Sequence, residues 1–287
     1  MSRVWLITGS SSGMGREMTE LALQRGDRVA ATLRKPGDLQ DLQAQYPASQ
    51  LLVVALDVTD SAQIPRAFAE AKRAFGRVDV VFNNAGRGAI AEVEGIPEAT
   101  ARRVFDVNFW GAANVSNEAV RFFREENAPG AGGRLLVVSS AVAISPIPSL
   151  GHYSASKFAL EAVTQALAAE IDPEWNIKIT LLEPGFVTTP LGGNSDVEPV
   201  HPAYDTPTNV SVRTRNFVVG QYDPRTASNV SNLAKIVARM YDAAGLASPP
   251  LRLPLGADTL SAVRAQIKSL GENLEQYASL SDGIREE

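Results

Sequence analysis

The chain of 287 residues has no cysteine, so disulfides, thiolate nucleophiles and cysteine-based metal sites are excluded. It has only two histidines, His152 and His201, far apart and in no ligand pattern, and no metal is expected. Positive charge is in deficit, with 27 Lys and Arg against 32 Asp and Glu for a net charge of -5. No Lys/Arg cluster interrupts that balance, which argues against a nucleic-acid or anionic-membrane surface. No run of about 18 apolar residues could span a bilayer, and no signal-peptide pattern precedes the first apolar stretch. A cytoplasmic protein is expected. Hydrophobic residues at 45% and charged residues at 21% suit an ordinary globular chain, and the length suits one domain over residues 1–287.

Val4 to Thr8 is a solid apolar run, as expected of a buried parallel strand. Thr8-Gly9-Ser10-Ser11-Ser12-Gly13-Met14-Gly15 follows, then a helical pattern from Arg16 to Arg25 stopped by Gly26. Strand, glycine-rich turn and helix together present free N–H groups and a helix N-terminus to a pyrophosphate. The spacing is G-x-x-x-G-x-G, not G-x-G-x-x-G. A second strand, Arg28 to Leu33, runs into Arg34 and Lys35, where such folds meet the adenosine ribose. Positive charge there suits a 2′-phosphate, with Ser11 and Ser12 as further donors, so NADP(H) is expected over NAD(H). A charged loop is the plain alternative.

A third strand, Leu51 to Leu56, leads to Asp57-Val58; Asp57 is suited to an adenine amino group, or equally to a helix N-terminus. Strand Val78 to Phe82 ends in Asn83-Asn84-Ala85-Gly86, and strand Arg134 to Val138 in Ser139-Ser140. Both place small polar residues at the edge where ligands bind. A helix is predicted from about Glu98 to Glu126, with Asn108 among Phe105, Val107, Phe109 and Trp110; its amide needs a partner, and main chain would serve. Strand Lys178 to Leu182 precedes Glu183-Pro184-Gly185-Phe186-Val187-Thr188-Thr189, and a short last strand is expected within Pro249–Leu253. This alternation predicts an α/β fold: a doubly wound, Rossmann-type parallel sheet of about seven strands with helices on both faces. From 191 to 229 periodicity fails, and this stretch is expected to be a mobile cover over the substrate site. Helices are expected over Ser231–Ala244 and Ala257–Tyr277, the latter inside a C-terminal extension from 256 to 287.

Tyr153 and Lys157 stand four apart in a helix-forming run. That spacing puts both on one helix face, with Cβ atoms about 5–6 Å apart. An ammonium so placed favours the phenolate and lowers a tyrosine pKa from its ordinary value of about 10. Such a tyrosine can exchange a proton with an oxygen on carbon.

Taken in order, the Thr8–Gly15 turn, Asp57, Asn83–Gly86, Asn108, Ser140, Tyr153-x-x-x-Lys157 and Pro184-Gly185-x-x-x-Thr189 resemble the short-chain dehydrogenase/reductase family, in its compact single-domain branch. The resemblance runs from about Arg3 to Thr189, and more loosely to Leu255. Ala31-Thr32-Leu33-Arg34 and the run from Tyr153 to Glu161 are similar to bacterial oxidoreductases of the 17β-hydroxysteroid and retinol dehydrogenase kind. The resemblance implies hydride exchange between a nicotinamide and a carbonyl or secondary alcohol. Tyr153 would be the general acid or base, and Lys157 would tune it and bind the nicotinamide ribose. Ser140 would donate to the substrate oxygen, and Asn108 would hold a water that replenishes the proton. Gly9, Ser11, Ser12, Gly13, Met14, Gly15, Arg34, Lys35, Asp57, Val58, Asn84, Ala85, Gly86, Pro184 and Gly185 would line the cofactor. Val187 and Thr189 would hold the carboxamide.

Val142, Ile147, Leu150, Phe186 and Leu191 are candidate substrate contacts, suited to a bulky hydrophobic carbonyl or alcohol, or else plain core. Ala155, Ala159, Ala162 and Ala166 form a small-residue stripe that would admit a partner helix in a homodimer or homotetramer, or pack on this chain's own sheet. Two other functions compete: a non-catalytic NADP(H)-binding regulatory protein, disfavoured because Tyr153 and Lys157 remain, and a sugar-nucleotide epimerase, disfavoured by the glycine spacing.

Overall fold

The computed structural model describes residues 2–187, 195–221 and 230–284. Among these, seven strands form one parallel sheet: β1 (Val4–Thr8), β2 (Arg28–Leu33), β3 (Leu51–Ala55), β4 (Val80–Asn83), β6 (Gly133–Val138), β7 (Ile177–Pro184) and β9 (Arg252–Leu255). Two short strands, β5 (Gly88–Ile90) and β8 (Ser195–Val197), pair separately. The helices in chain order are α1 (Gly13–Gln24), α2 (Gln40–Gln45), α3 (Gln63–Phe75), α4 (Glu98–Phe105), α5 (Ala112–Glu125), α6 (Gly151–Glu170), α7 (Val210–Gln221), α8 (Leu233–Ala243) and α9 (Ala257–Tyr277).

The sheet order is β3-β2-β1-β4-β6-β7-β9, so strand order reverses between β1 and β4. A crevice opens at such a switch point, outside the carboxyl ends of the strands. Side chains alternate across the sheet, and the central strands β1, β4, β6 and β7 are buried on both faces, while the edge strands β3 and β9 are partly open. On β1, Val4 and Leu6 join Phe68 of α3, Val115 of α5 and Leu160 of α6 on one face. Trp5 and Ile7 join Met18 of α1 and Met240 of α8 on the other.

Three expectations need correction. The helix predicted from Glu98 to Glu126 is not uniform, because a wider π-turn over Asp106–Gly111 separates α4 from α5 and holds Asn108. The stretch from 191 to 229 is not structureless, since it contains β8, a 3-10 turn at Pro202–Tyr204 and α7. Its buried side is mostly polar: on α7, Ser211, Arg215 and Gln221 are buried beside Val218, while Val210, Phe217 and Val219 are exposed. Hydrophobic periodicity could not mark such a helix. The alanine stripe on α6 does not pack on the sheet: Ala155, Ala162 and Ala166 are exposed and Ala159 is half-buried.

Candidate functional site

The glycine-rich turn is built for close approach. Gly9 has φ 71°, a conformation that favours glycine. A Cβ on Gly15 would sit 2.2 Å from the Gly9 carbonyl oxygen, which no side chain could tolerate. The α1 N-terminus carries no acidic side chain in its first turn, so its free N–H groups and positive dipole end face the crevice unneutralised. Thr8 Oγ1 accepts from the Asn84 and Ala85 N–H groups at 2.9 Å each, and Asn84 Nδ2 donates to the Thr8 carbonyl at 2.9 Å. These bonds fuse the ends of β1 and β4 into one floor. The turn therefore fits a dinucleotide pyrophosphate, with Gly9, Ser11, Ser12, Gly13 and Met14 on the cavity wall and Gly15 beneath it.

That wall belongs to a cavity of about 400 Å³ that brings together most of the predicted site. Arg34, Asp57 and Val58 reach it from beyond β2 and β3, Asn84, Ala85 and Gly86 from beyond β4, and Ser140, Tyr153, Lys157, Pro184, Gly185 and Val187 from β6, α6 and β7 and the turns after them. Arg34 is exposed and makes no ion pair among the described residues. Lys35 is exposed and does not line the cavity. Asp57 Oδ1 caps the following turn, accepting from Thr59 N–H at 3.0 Å and its hydroxyl at 2.8 Å, while the residue still faces the cavity. Both readings of Asp57 are therefore compatible with one position. Thr189 and Leu191 lie outside the described residues.

Asn108 is fully buried below this surface. Its Oδ1 accepts from Arg87 N–H at 2.8 Å, and its Nδ2 donates to the Arg87 carbonyl at 2.8 Å and to Ser156 Oγ at 3.1 Å. Both amide hydrogens are committed to protein, so the side chain clamps the Gly86–Arg87 segment. A Cβ on Gly86 would lie 3.5 Å from Asn108 Oδ1 and 3.9 Å from Lys157 Nζ, which places all three in one neighbourhood.

Lys157 is buried and donates from Nζ to the Val138 carbonyl at 2.8 Å, tying α6 to the end of β6. Burial pushes its pKa down to about 8, with Glu161 opposing that shift. The ammonium is therefore retained at neutral pH. Ser140 is half-buried just beyond β6, where its Oγ caps the 3-10 turn Ala141–Ala143, accepting from Val142 N–H at 3.4 Å. Ser139, its neighbour, donates to Glu161 at 2.6 Å. Both serines line the cavity, but the Ser139 hydroxyl proton is committed to Glu161, while Ser140 Oγ accepts and keeps its own proton to give.

Of the apolar candidates, Val142, Ile147, Leu150 and Phe186 cluster beside Tyr153, with Ile90 and Val218 completing the group. Ile90 and Val218 escaped the sequence reading, as did Ser195, Asp258 and Ala262 on the cavity wall. Asp258, in the first turn of α9, accepts from Phe186 N–H at 2.8 Å. A Cβ on Gly185 would lie 2.0 Å from that carboxylate, which accounts for the glycine. The sequence signal was the Gly256–Asp258 helix start, but its partner lies across the fold.

The family model for short chain dehydrogenases matches residues 3–198. The chain belongs to the short-chain dehydrogenase family. Among its relatives is an uncharacterized oxidoreductase of Schizosaccharomyces pombe, 38% identical over 97% of this chain and 90% of that protein. The crystal structure of a short-chain dehydrogenase from Streptomyces avermitilis superposes with a TM-score of 0.87 at 32% identity, covering 99% of this chain and 98% of that one. A Burkholderia phymatum short-chain dehydrogenase/reductase in complex with NAD has the same fold, with a TM-score of 0.75 at 23% identity and coverage of 96% and 95%. Among the described residues no helix is long and apolar enough to cross a membrane.

Proposed function

We propose that the protein is an NADP(H)-dependent oxidoreductase that interconverts a carbonyl and a secondary alcohol on a hydrophobic small molecule. One observation carries this reading: Ser140, Tyr153 and Lys157 line the same cavity as the glycine-rich turn, beside an apolar cluster. Membership in a dehydrogenase family supports it, and the NAD held by the Burkholderia relative supports a nicotinamide cofactor. The choice of NADP(H) rests on Arg34, which lines the cavity just after β2 and makes no ion pair among the described residues.

When bound, the nicotinamide supplies or accepts the hydride. Tyr153 gives its phenolic proton to the substrate oxygen in reduction and takes it back in oxidation. Lys157 favours the phenolate by charge, from a burial that leaves it protonated at neutral pH. Ser140 Oγ donates to the same oxygen and stabilises the negative charge that develops there. Asn108 holds Gly86 and Arg87 in place through its main-chain bonds, and the remaining lone pair of Oδ1 is what it could offer a water. Val142, Leu150, Ile147 and Phe186, with Ile90 and Val218, exclude water from an apolar substrate.

The test is NADPH consumption with a panel of hydrophobic ketones, for the native chain and for Tyr153→Phe. Turnover by the native chain, reduced on the order of 100-fold or more in Tyr153→Phe with NADPH binding retained, is the expected result. Binding without turnover in both would instead make the protein a nucleotide-binding regulator.

A further inference from the structure

Helix α9 overhangs the domain it starts from. Thr259 is buried, and Ala262, Val263 and Gln266 are half-buried, but from Ile267 to Tyr277 every residue is exposed. That exposed length is not polar. Leu260, Val263, Ile267, Leu270, Leu274 and Tyr277 recur with alternating spacings of three and four, and Leu280 follows just beyond the helix. Exposures of 65% for Ile267, 58% for Leu270 and 66% for Leu274 leave this seam in water. A repeat of 3.5 residues is the pattern by which one helix packs along another. The seam also continues the side of α9 that already rests on the domain.

We propose that this seam is a self-association surface, on which α9 of a second copy packs antiparallel about a two-fold axis near Leu270. The order of residues is self-complementary about that point. Val263 falls opposite Tyr277 of the partner copy's helix, Ile267 near Leu274, and Leu270 opposite itself, with Leu260 level with Leu280 in the 3-10 turn that follows the helix. A two-fold contact requires this kind of match, in which one patch meets its own copy. Charge fixes the direction. Arg264 and Lys268 lie on the N-terminal side of Leu270, Glu272 and Glu275 on its C-terminal side. Antiparallel pairing lays the cationic part of one helix along the anionic part of the other and brings Arg264 level with Glu275, whereas parallel pairing would lay like-charged parts side by side. Neither Arg264 nor Glu275 makes an ion pair among the described residues, while Lys268 and Glu272 pair within the helix at 3.6 Å. The balance of two cations and two anions gives an anionic membrane nothing to attract.

The interface is separate from the exposed alanine face of α6; if that face pairs as well, α9 joins two dimers. Sedimentation equilibrium of the full chain tests the assignment at micromolar concentration. The native chain is expected to be an oligomer, and Leu270→Asp with Leu274→Asp to halve its mass without lowering the thermal midpoint. Arg264→Glu should weaken association at least several-fold at low salt, and Arg264→Glu with Glu275→Arg should restore it, a rescue that needs no apolar residue replaced. A monomeric native chain, an unchanged mass in the double-aspartate variant, or failure of the charge exchange to rescue would each overturn the proposal. So would capture of a monomeric native chain by phosphatidylserine vesicles that the double-aspartate variant escapes.

Discussion

Ser139 Oγ donates a 2.6 Å hydrogen bond to Glu161 Oε1, and both residues are buried. Glu161 also pairs with Arg252, which donates to Glu183 Oε1 at 2.8 Å. One end of this network adjoins Ser140 on the strand side, and the other lies one helical turn from Lys157. A buried carboxylate thus sits next to both groups, bonded to the neighbour of Ser140 and acting on Lys157 through its charge.

That carboxylate makes stability depend on pH. Burial pushes Glu161 up to about 7 from its ordinary 4.5, with Glu183 adding to the shift and Ser139, Arg252 and Lys157 opposing it. The folded chain therefore holds a proton that the unfolded chain has lost. The contribution is full below 4.5 and declines as pH rises to about 7. Lys157 works in the other direction: burial lowers it to about 8 from 10.5, so its contribution recovers as pH climbs between those values. Urea unfolding followed across this range should show a minimum between about 7 and about 8. Glu161→Gln should flatten most of the descending limb, leaving the part due to Glu183, which burial also raises. An unchanged profile in Glu161→Gln would show that the carboxylate is not the titrating group.

The same network should also set the pH dependence of the proposed reaction. Carbonyl reduction should lose kcat/KM as pH rises through about 8, where Lys157 gives up its charge. Ionised Glu161 raises the Lys157 pKa, so Glu161→Gln should move this limb to lower pH. A limb that moves upward, or stays in place, would separate Glu161 from Lys157 energetically. The observed values belong to the coupled Tyr153–Lys157 pair, and only the direction of movement is diagnostic.

The strands, the glycine-rich turn and the Tyr153–Lys157 helix were legible because each is written locally. Solid apolar runs mark β1, β2, β6 and β7, and a four-residue spacing fixes two side chains on one face whatever surrounds them. α7 was not legible, since Arg215 and Ser211 are buried against Glu92, a residue more than a hundred positions earlier. Ser211 Oγ donates to Glu92 at 2.9 Å, and Ser149 meets Ser211 at 2.8 Å. No periodicity records such a face. Asp258 escaped for the same reason: its partner is the Phe186 N–H, supplied by a different segment. Glu161 reads as an ordinary helix residue until Arg252 and Ser139 are brought to it.

Arg34 is where the proposed preference for NADP(H) can be tested. Arg34 lines the cavity and has no carboxylate partner among the described residues, unlike Arg16, which is held by Glu20 and Asp41. A charge-assisted hydrogen bond to a 2′-phosphate is worth about 1.5–3 kcal/mol, or roughly ten- to a hundredfold in affinity. Arg34→Asp should raise the KM for NADPH by that factor while leaving NADH unaffected or improved. Equal losses for the two cofactors, or equal use of both by the native chain, would remove the role assigned to this charge.

Arg87 braces the cavity wall beside the apolar cluster proposed to meet the substrate. Its Nε and Nη2 donate to Asp196 at 3.0 and 2.7 Å, and this pairing holds the Asp196 carboxyl below its usual range. Asp196 lies on β8, which pairs with β5, the strand that carries Ile90 into the apolar cluster. Both side chains are 23% exposed, so screening limits the pair to about 1 kcal/mol. Arg87→Ala keeps the main-chain bonds to Asn108, which leaves the cofactor side of the site intact. Amide exchange at Gly88, Ala89 and Ile90 should therefore quicken roughly fivefold, the equivalent of about 1 kcal/mol of local opening. The KM for a hydrophobic ketone should rise while NADPH affinity holds. Unchanged exchange at these three amides would mean that β8 is secured without the ion pair, by its ladder to β5 and by the Thr100–Glu198 hydrogen bond at 2.7 Å.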